Sequence, residues 1–586
     1  MTNKWNRVPY SPMEEEIGLQ LSKELKLAPV IGKLLVRRGI STPEEANNFF
    51  HPSLDNLLDP FLMKDMDKAV ARLNRALGRK ERILIYGDYD VDGTTAVTLV
   101  YKYLRTTGCS EKQLDFYIPD RYDEGYGVSK RGIDYAHERN VKLIIVLDCG
   151  IKAIEEIAYA QSLGIDFIVC DHHNPGEELP AAVAVLDPKR EDDTYPNEDL
   201  SGCGVGFKLM QAFAMDNGFS QSKLFRLLDL LAVSIASDIV SVMGENRILA
   251  YYGLKQLNSN PSTGLKGIIK TCGLEEKQID MSDIVYKIGP RINASGRMMK
   301  GREAVELLLS RSVESAARRS KNVDQYNEQR REVDKVITEE AIALIENSDM
   351  VEGNKIIVLY QPDWHKGVIG IVASRITELY ARPTIILTGV GNQISGSARS
   401  IGGFDVYKVL EENKDLLQNF GGHTFAAGLT IIPGKLHEFR TRIATYATLK
   451  PEETPQHILN VDARITLREV NRKLYNNICR MGPFGTNNPK PLFLIEGVLD
   501  SGSSRRVGHN EEHLKLDLCD SSRRVHITNA IAFGQAAAAS FVKDNKPFSI
   551  VFQLEENLFN GQSSLQMHIK DIKQDVKKQS SSSSKA

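Results

Sequence analysis

Five short apolar runs recur between residues 83 and 186 of this chain: Ile83–Tyr86, Gln113–Ile118, Leu143–Leu147, Phe167–Cys170 and Ala182–Leu186. Stretches of helical character separate most of them. A strand that is apolar on nearly every residue needs cover on both faces. Alternation with helices therefore predicts an α/β domain built on a parallel sheet. In such sheets ligands gather beyond the carboxyl ends of the strands. The residues there are Gly87-Asp88-Tyr89-Asp90-Val91-Asp92-Gly93, then Asp148-Cys149-Gly150, then Asp171-His172-His173. A fourth acid, Asp238, closes the apolar segment that begins at Leu231.

These positions offer more carboxylates and imidazoles than one metal ion needs. Oxygen donors mixed with histidine suit Mn²⁺ or Mg²⁺ better than a thiolate zinc site. Two such ions a few ångströms apart are suited to phosphodiester hydrolysis. Asp88, Asp90 and Asp92 alternate, so an extended chain would point all three to one side. Gly93 then permits a turn, and Thr94 or Thr95 can cap a helix through Leu104. The same letters open an EF-hand loop, but the twelfth position from Asp88 is Leu99, where that loop needs glutamate. The plain alternative is a solvated acidic turn, in which three close carboxylates repel unless a cation joins them. His172-His173 is the one adjacent pair among 12 histidines and by itself is equally a surface feature. A lone Asp238 in an apolar segment costs several kcal/mol unless paired or metal-bound, with a helix-end cap as its alternative.

Three further segments have the makings of anion binders. Gly289–Arg297 carries Arg291, Asn293 and Arg297; Gly396–Ser400 carries Ser397 and Arg399; Phe420–Gly428 carries Gly422 and His423. Guanidinium groups and exposed backbone N–H groups suit phosphate, although each segment alone reads equally as a turn. A net charge of −2 over 586 residues rules out a pervasive basic field, so any positive potential is local. Seven scattered cysteines without a C-x-x-C pair, and an N-terminus without an apolar leader, read as reduced thiols in the cytoplasm. No apolar run is long enough to span a membrane.

The length predicts several domains. A helical cap over residues 1–75 precedes the first α/β domain at 76–300. A connecting helix follows at 301–350, with Val323, Tyr326, Val333, Ile337, Ala341 and Leu344 as its stripe. A second α/β domain covers 351–450, and Pro451–Pro455 reads as a linker. Short strands over 455–572 predict an all-β barrel. The serine-rich tail at 573–586 is expected to be disordered.

In this order the strand-tip motifs resemble those of the DHH phosphoesterase superfamily. Gly289–Arg297, Trp364–Arg375, Gly396–Ser400, Phe420–Gly428 and Pro483–Phe493 narrow the resemblance to its RecJ branch of single-stranded-DNA-specific exonucleases. It covers residues 20–570. It implies a DHH domain, a DHH-associated domain joined to it by a long helix, and an OB-fold that grips single-stranded DNA. It implies 5′→3′ exonuclease activity in repair and recombination, releasing 5′-mononucleotides with two divalent ions, Mn²⁺ or Mg²⁺. The residues implied for the metal centre are Asp90, Asp92, Asp148, His172, His173 and Asp238, with Asp88 adjacent. Those implied for phosphate and the strand are Arg121, Ser397, Arg399, Arg291, Asn293, Arg297, Gly422 and His423. A single-strand-binding protein and a helicase are partners by analogy, and a monomer is expected. Tyr86 stands where many members have histidine, and Met298-Met299-Lys300 replaces a more usual acidic or small residue. Two other readings stand beside this one: a phosphodiesterase for short oligoribonucleotides or cyclic dinucleotides, and a non-catalytic DNA-binding platform.

Overall fold

The structure, a computed structural model, describes residues 3–347, 356–402, 404–445, 457–559 and 562–575. The linker at Pro451–Pro455 and the tail beyond residue 575 lie outside them. The chain divides into two compact units, Leu54–Gln456 and the pair of segments Met1–Ser53 and His457–Ala586.

In the larger unit all five apolar runs become strands of one parallel sheet. The strand order is Leu114–Tyr117, Arg82–Gly87, Val141–Leu147, Asp166–Cys170, Ala184–Leu186. Alternate side chains enter separate cores. Ile83, Ile85, Leu143, Ile145 and Ile168 pack with the helices Val91–Thr106, Gly202–Asp216 and Leu228–Ser237. Leu84, Tyr86, Ile144, Val146 and Phe167 pack with Lys130–Glu138 and Ile154–Ser162 on the other face. Double-sided burial explains why these strands lack an apolar-polar alternation. The register pairs Gly87 with Leu147 and Leu147 with Cys170. The residues that follow, Asp88, Asp148 and Asp171, therefore leave the sheet along one edge. That edge includes the point between Arg82–Gly87 and Val141–Leu147 where the strand order reverses.

The helix expected over 301–350 is, among the described residues, two helices. Arg302–Leu308 ends at Leu309, and Ser312 caps a new helix, Val313–Glu346. The Ser312 Oγ accepts from Ser315 N at 3.2 Å, a local bond that starts the second helix at that point. Its 34 residues span about 50 Å. Val323, Ile337 and Ala341 of the expected stripe are buried, whereas Tyr326 is only partly so. Beyond it lies a mixed five-stranded sheet, ordered Leu417–His423, Ala426–Ile431, Gln393–Arg399, Thr384–Val390, Ile357–Tyr360.

The smaller unit holds the all-β module. Phe493–Asp500, Phe548–Phe559, Gln562–Gln574, His526–Ala532 and His513–Cys519 pair in sequence. Leu499 and Asp500 then pair with Cys519 and Leu518, closing the barrel. The last strand runs to Gln574, into the segment expected to be tail. Residues 1–75, expected as one helical cap, divide between the units. Lys4–Arg7 is a strand paired in parallel with Ile458–Val461, and Met66–Gly78 is a helix in the larger unit.

Candidate active site

Asp90 caps the helix Val91–Thr106, its Oδ1 accepting from Gly93 N at 3.0 Å. The cap expected from Thr94 or Thr95 is therefore absent; the Thr94 hydroxyl instead donates to Asp90 O. Because the helix starts at Val91, Asp92 lies in its first turn and not on an extended strand. The carboxylate turns inward and accepts from Gly202 N at 2.7 Å, Cys203 N at 2.8 Å and Ser234 Oγ at 2.7 Å. Two of these donors open the helix Gly202–Asp216, whose N-terminal dipole favours an anion. Asp148 is held at φ 62°, a left-handed conformation that costs energy and recurs at functional sites. Its close neighbour must be glycine, since a Cβ on Gly202 would lie 2.5 Å from the Asp148 Cβ. Asp238 is the C-terminal cap residue of Leu228–Ser237, where a carboxylate opposes the helix dipole, so a capping role does not account for it.

These elements bring all seven predicted centre residues together. Donor atoms of Asp88, Asp90 and Asp148 lie within 4.8 Å of one another, as do those of Asp92, His172 and Asp238, and those of Asp148, His172 and His173. His172 Nε2 is 3.2 Å from Asp148, 3.5 Å from Asp238 and 3.8 Å from Asp92. Among the described residues neither it nor the buried Asp88 Oδ1 has a hydrogen-bond partner. Burial and mutual repulsion push the carboxyl groups of Asp88, Asp148 and Asp238 well above the usual range, and that of Asp92 to about 6. Burial pushes His172 down to about 3, leaving a neutral imidazole. Clustered carboxylates, with an unpaired buried oxygen on Asp88 and an unpaired neutral imidazole on His172, form a donor set that fits divalent cations.

Sequence reading gave no role to two residues that shape this site. Burial works against a charged His173, but the Asp171 carboxylate, 2.7 Å from Nδ1, overrides it and the imidazole rises to about 9. Asp171 also accepts from the N–H groups of Ile151, His172 and His173, which holds the pair of histidines in place. Its signal was available in the Asp-His-His order. Tyr126, with its hydroxyl 3.2 Å from His173 Nε2 and 3.3 Å from Asp148 O, follows no pattern in the chain. Tyr86 lies in the opposite core and donates to Gly127 O, so it takes no part.

The predicted anion binders separate into two sets. Arg121 stacks on Tyr89 at 4.7 Å. Arg399 bonds Ser397 Oγ at 2.8 Å, and Arg297 bonds Gly367 O at 2.9 Å. Burial first, then Arg121, Arg330 and Arg399, lowers Arg297 to about 9, and Arg399 is lowered by burial and Arg121. An anion among these mutually repelling guanidinium groups would relieve their repulsion. Arg291 and Asn293 are committed elsewhere. Arg291 forms an ion pair with Asp324 of the long helix at 2.7 Å, and the Asn293 Oδ1 accepts from Val91 N. These bonds hold the protein to itself. The His423 ring faces His173, with centroids 6.5 Å apart and planes at 9°. Gly422, at φ 147°, has no room for a side chain beside Ala426.

Residues 82–235 match the DHH family, N-terminal domain, which sets the class. Residues 353–448 match the DHHA1 domain and 461–571 the RecJ OB domain. The chain is 35% identical to the single-stranded-DNA-specific exonuclease RecJ of Bacillus subtilis (strain 168), over 94% of this chain and 69% of that protein. It is 32% identical to the protein of that description from Escherichia coli (strain K12), over 93% of this chain and 96% of that one. The crystal structure of RecJ in complex with Mn²⁺ from Thermus thermophilus superposes with a TM-score of 0.83 at 25% identity, covering 98% of this chain and 80% of that one. The chain belongs to the RecJ family of single-stranded-DNA-specific exonucleases.

Proposed function

We infer that the chain is a single-stranded-DNA-specific exonuclease that hydrolyses phosphodiester bonds with the aid of two divalent cations, Mn²⁺ or Mg²⁺. The observation that carries this reading is two donor sets, Asp88–Asp90–Asp148 and Asp92–His172–Asp238, linked by a third in which Asp148 meets His172. Asp88, Asp90 and Asp148 would hold one cation, and Asp92, His172 and Asp238 the other. When bound, such a pair supplies Lewis-acid activation of water and neutralises charge on the phosphorus oxygens. His173, kept cationic by Asp171, stabilises negative charge that develops on a non-bridging oxygen. Tyr126 and Asp171 fix its ring.

Arg121, Ser397 and Arg399 would anchor a terminal phosphate, with Arg297 adding positive potential. A phosphate fixed there sets which strand end reaches the cations. We assign that end as the 5′ end, with 5′-mononucleotides as product. The barrel, matched to the RecJ OB domain, adds a surface for the rest of the strand and favours long strands over dinucleotides. The same reading places the enzyme, as a monomer, in cytoplasmic DNA repair and recombination, alongside a helicase and a single-strand-binding protein.

A time course on single strands labelled at one end and blocked at either end, with and without Mn²⁺, tests the assignment. Mononucleotides should appear only with the cation and only from an open 5′ end. Release past a blocked 5′ end would reverse the polarity. Absence of cation-dependent release would remove the nuclease reading.

A further inference from the structure

Paired strands of the C-terminal barrel set their side chains in rows across its wall. The strand Arg505–Val507 extends one such row: Arg505 lies opposite Lys515, Lys515 opposite Ile531, and Ile531 opposite His568. The row beside it, Leu514, Ala532 and Ile569, is buried in the barrel, so this one faces outward. Like charges set directly opposite one another weaken a strand pair. Arg505 and Lys515 are such a pair, and among the described residues neither forms an ion pair with an acid. Nearby, Glu555 faces Lys490 at 3.3 Å, Glu512 accepts from Asn510 N at 2.8 Å, and Asp517 has its Oδ1 buried. Phe533, the first residue past Ala532, is 53% exposed. Its ring lies 5.0 Å from that of His513 and 5.2 Å from that of His568, at 79° and 87° to them. Gly534 N donates to His513 Nδ1 at 3.1 Å, and Lys570 Nζ lies 3.3 Å from His568 Nδ1. A single exposed aromatic needs no explanation on an ordinary surface. This one is held on two sides by imidazoles, stays open to water, and shares its wall with cations that repel each other.

We propose that this wall of the barrel is a binding site for single-stranded DNA, with a base stacked on Phe533 and phosphates on Arg505, Lys515 and Lys570. This rests on the exonuclease reading above, which gives the barrel the rest of the strand, and names the residues that take it. A phosphate between Arg505 and Lys515 turns their repulsion into two attractions. The row from Arg505 to His568 crosses three strand spacings, about 14 Å, so backbone and base can lie on it together. An aromatic face holds any base, because every base has a π-face, and so grips a strand without sequence preference. The chemistry selects the occupant. An acidic peptide would answer the cations and leave the ring bare, and a base paired and stacked in a duplex is not available to the ring.

The test measures binding by the full chain in a metal chelator, so that no hydrolysis intervenes. Wild type, Phe533→Ala, Phe533→Trp, Arg505→Gln and Lys515→Gln are titrated with a labelled thymidine strand and with an abasic strand of the same length. On the thymidine strand Phe533→Ala should raise Kd about tenfold, and Phe533→Trp should restore it. On the abasic strand Phe533→Ala should bind like wild type, because no base is there to stack. Each cation variant should lower the slope of log Kd against log salt by about 0.7 on both strands. Equal losses from Phe533→Ala on both strands would show a structural role and overturn the proposal, as would unchanged salt slopes in the cation variants. Lower slopes with no effect of Phe533→Ala would assign the wall to an anion without bases, such as an acidic peptide, and overturn it too. Wild type that binds neither strand would instead remove the exonuclease reading, and the proposal with it.

Discussion

Asp148 shows how much one residue can be asked to do. It is buried in a left-handed conformation, beside four other carboxylates that repel it. Asparagine tolerates that backbone, so Asp148→Asn isolates the charge. The variant should lose cation-dependent cleavage by about a thousandfold. Without metal it should be more stable than wild type, by about 2 kcal/mol, because one repelling charge has gone. Added Mn²⁺ should raise the Tm of wild type far more than that of the variant. A metal-free variant less stable than wild type would contradict the electrostatic account. Asp187 carries a second testable charge. Its Oδ2 is buried without a partner among the described residues, and burial pushes its carboxyl to about 7. Between the ordinary carboxyl range and pH 7 the unfolded chain releases this proton while the fold keeps it. Stability therefore falls as pH rises through that window and stays lower above it. Asp187→Asn should flatten the fall by roughly 2.5 kcal/mol at most, measured by denaturant unfolding at pH 5 and pH 8. An unchanged difference between the two pH values would show that water or another partner already satisfies the carboxylate.

At the scale of elements, the helix Gly202–Asp216 organises the centre from behind. Its first N–H groups bind Asp92, and its first residue abuts Asp148. Gly202→Ala would drive a methyl group to within 2.7 Å of the Asp148 Cα. Backbone has to yield there, so a loss of about 2 kcal/mol in stability is expected. Mn²⁺ affinity, read by calorimetry, should fall about tenfold as Asp148 moves. Full affinity in a folded variant would mean that Asp148 is not held by this packing. Why this helix was not foreseen as part of the site is instructive. Asp148 and His172 were legible because each directly follows an apolar strand, where a parallel sheet collects its ligands. Asp92 was singled out for the wrong reason, since strand alternation was carried two residues into a helix. Its true partners lie 110, 111 and 142 residues away, a distance over which local pattern says nothing. The partner of Arg291 was equally hidden. A guanidinium in a glycine-rich segment gives no sign that Asp324 of another helix lies beside it.

For the molecule as a whole, the division into units was the least legible feature. Lys4-Trp5-Asn6-Arg7 has no apolar alternation and no β-branched residue, so nothing local marks it as a strand. It becomes one by pairing with Ile458–Val461, more than 450 residues later. Trp5 donates from Nε1 to Asp571 at 2.7 Å and packs against Val461, Leu492, Leu494 and Val551, while Arg38 Nε bonds Asn488 Oδ1 at 2.6 Å. The start of the chain thus serves as an outer strand and a brace for the C-terminal module. Deleting residues 1–10 from the full chain should therefore act at the far end of the sequence. Amide hydrogen exchange should quicken at least about tenfold in Ile458–Val461 and in the neighbouring strand Gln562–Gln574, because local opening becomes easier where contacts are lost. Exchange in Arg82–Gly87 and Val141–Leu147 should stay as it was, since those strands belong to the other unit and bury their own core. A uniform rise in both regions would mean that the units unfold as one. No change in either would mean that the N-terminal strand adds nothing to the barrel's stability.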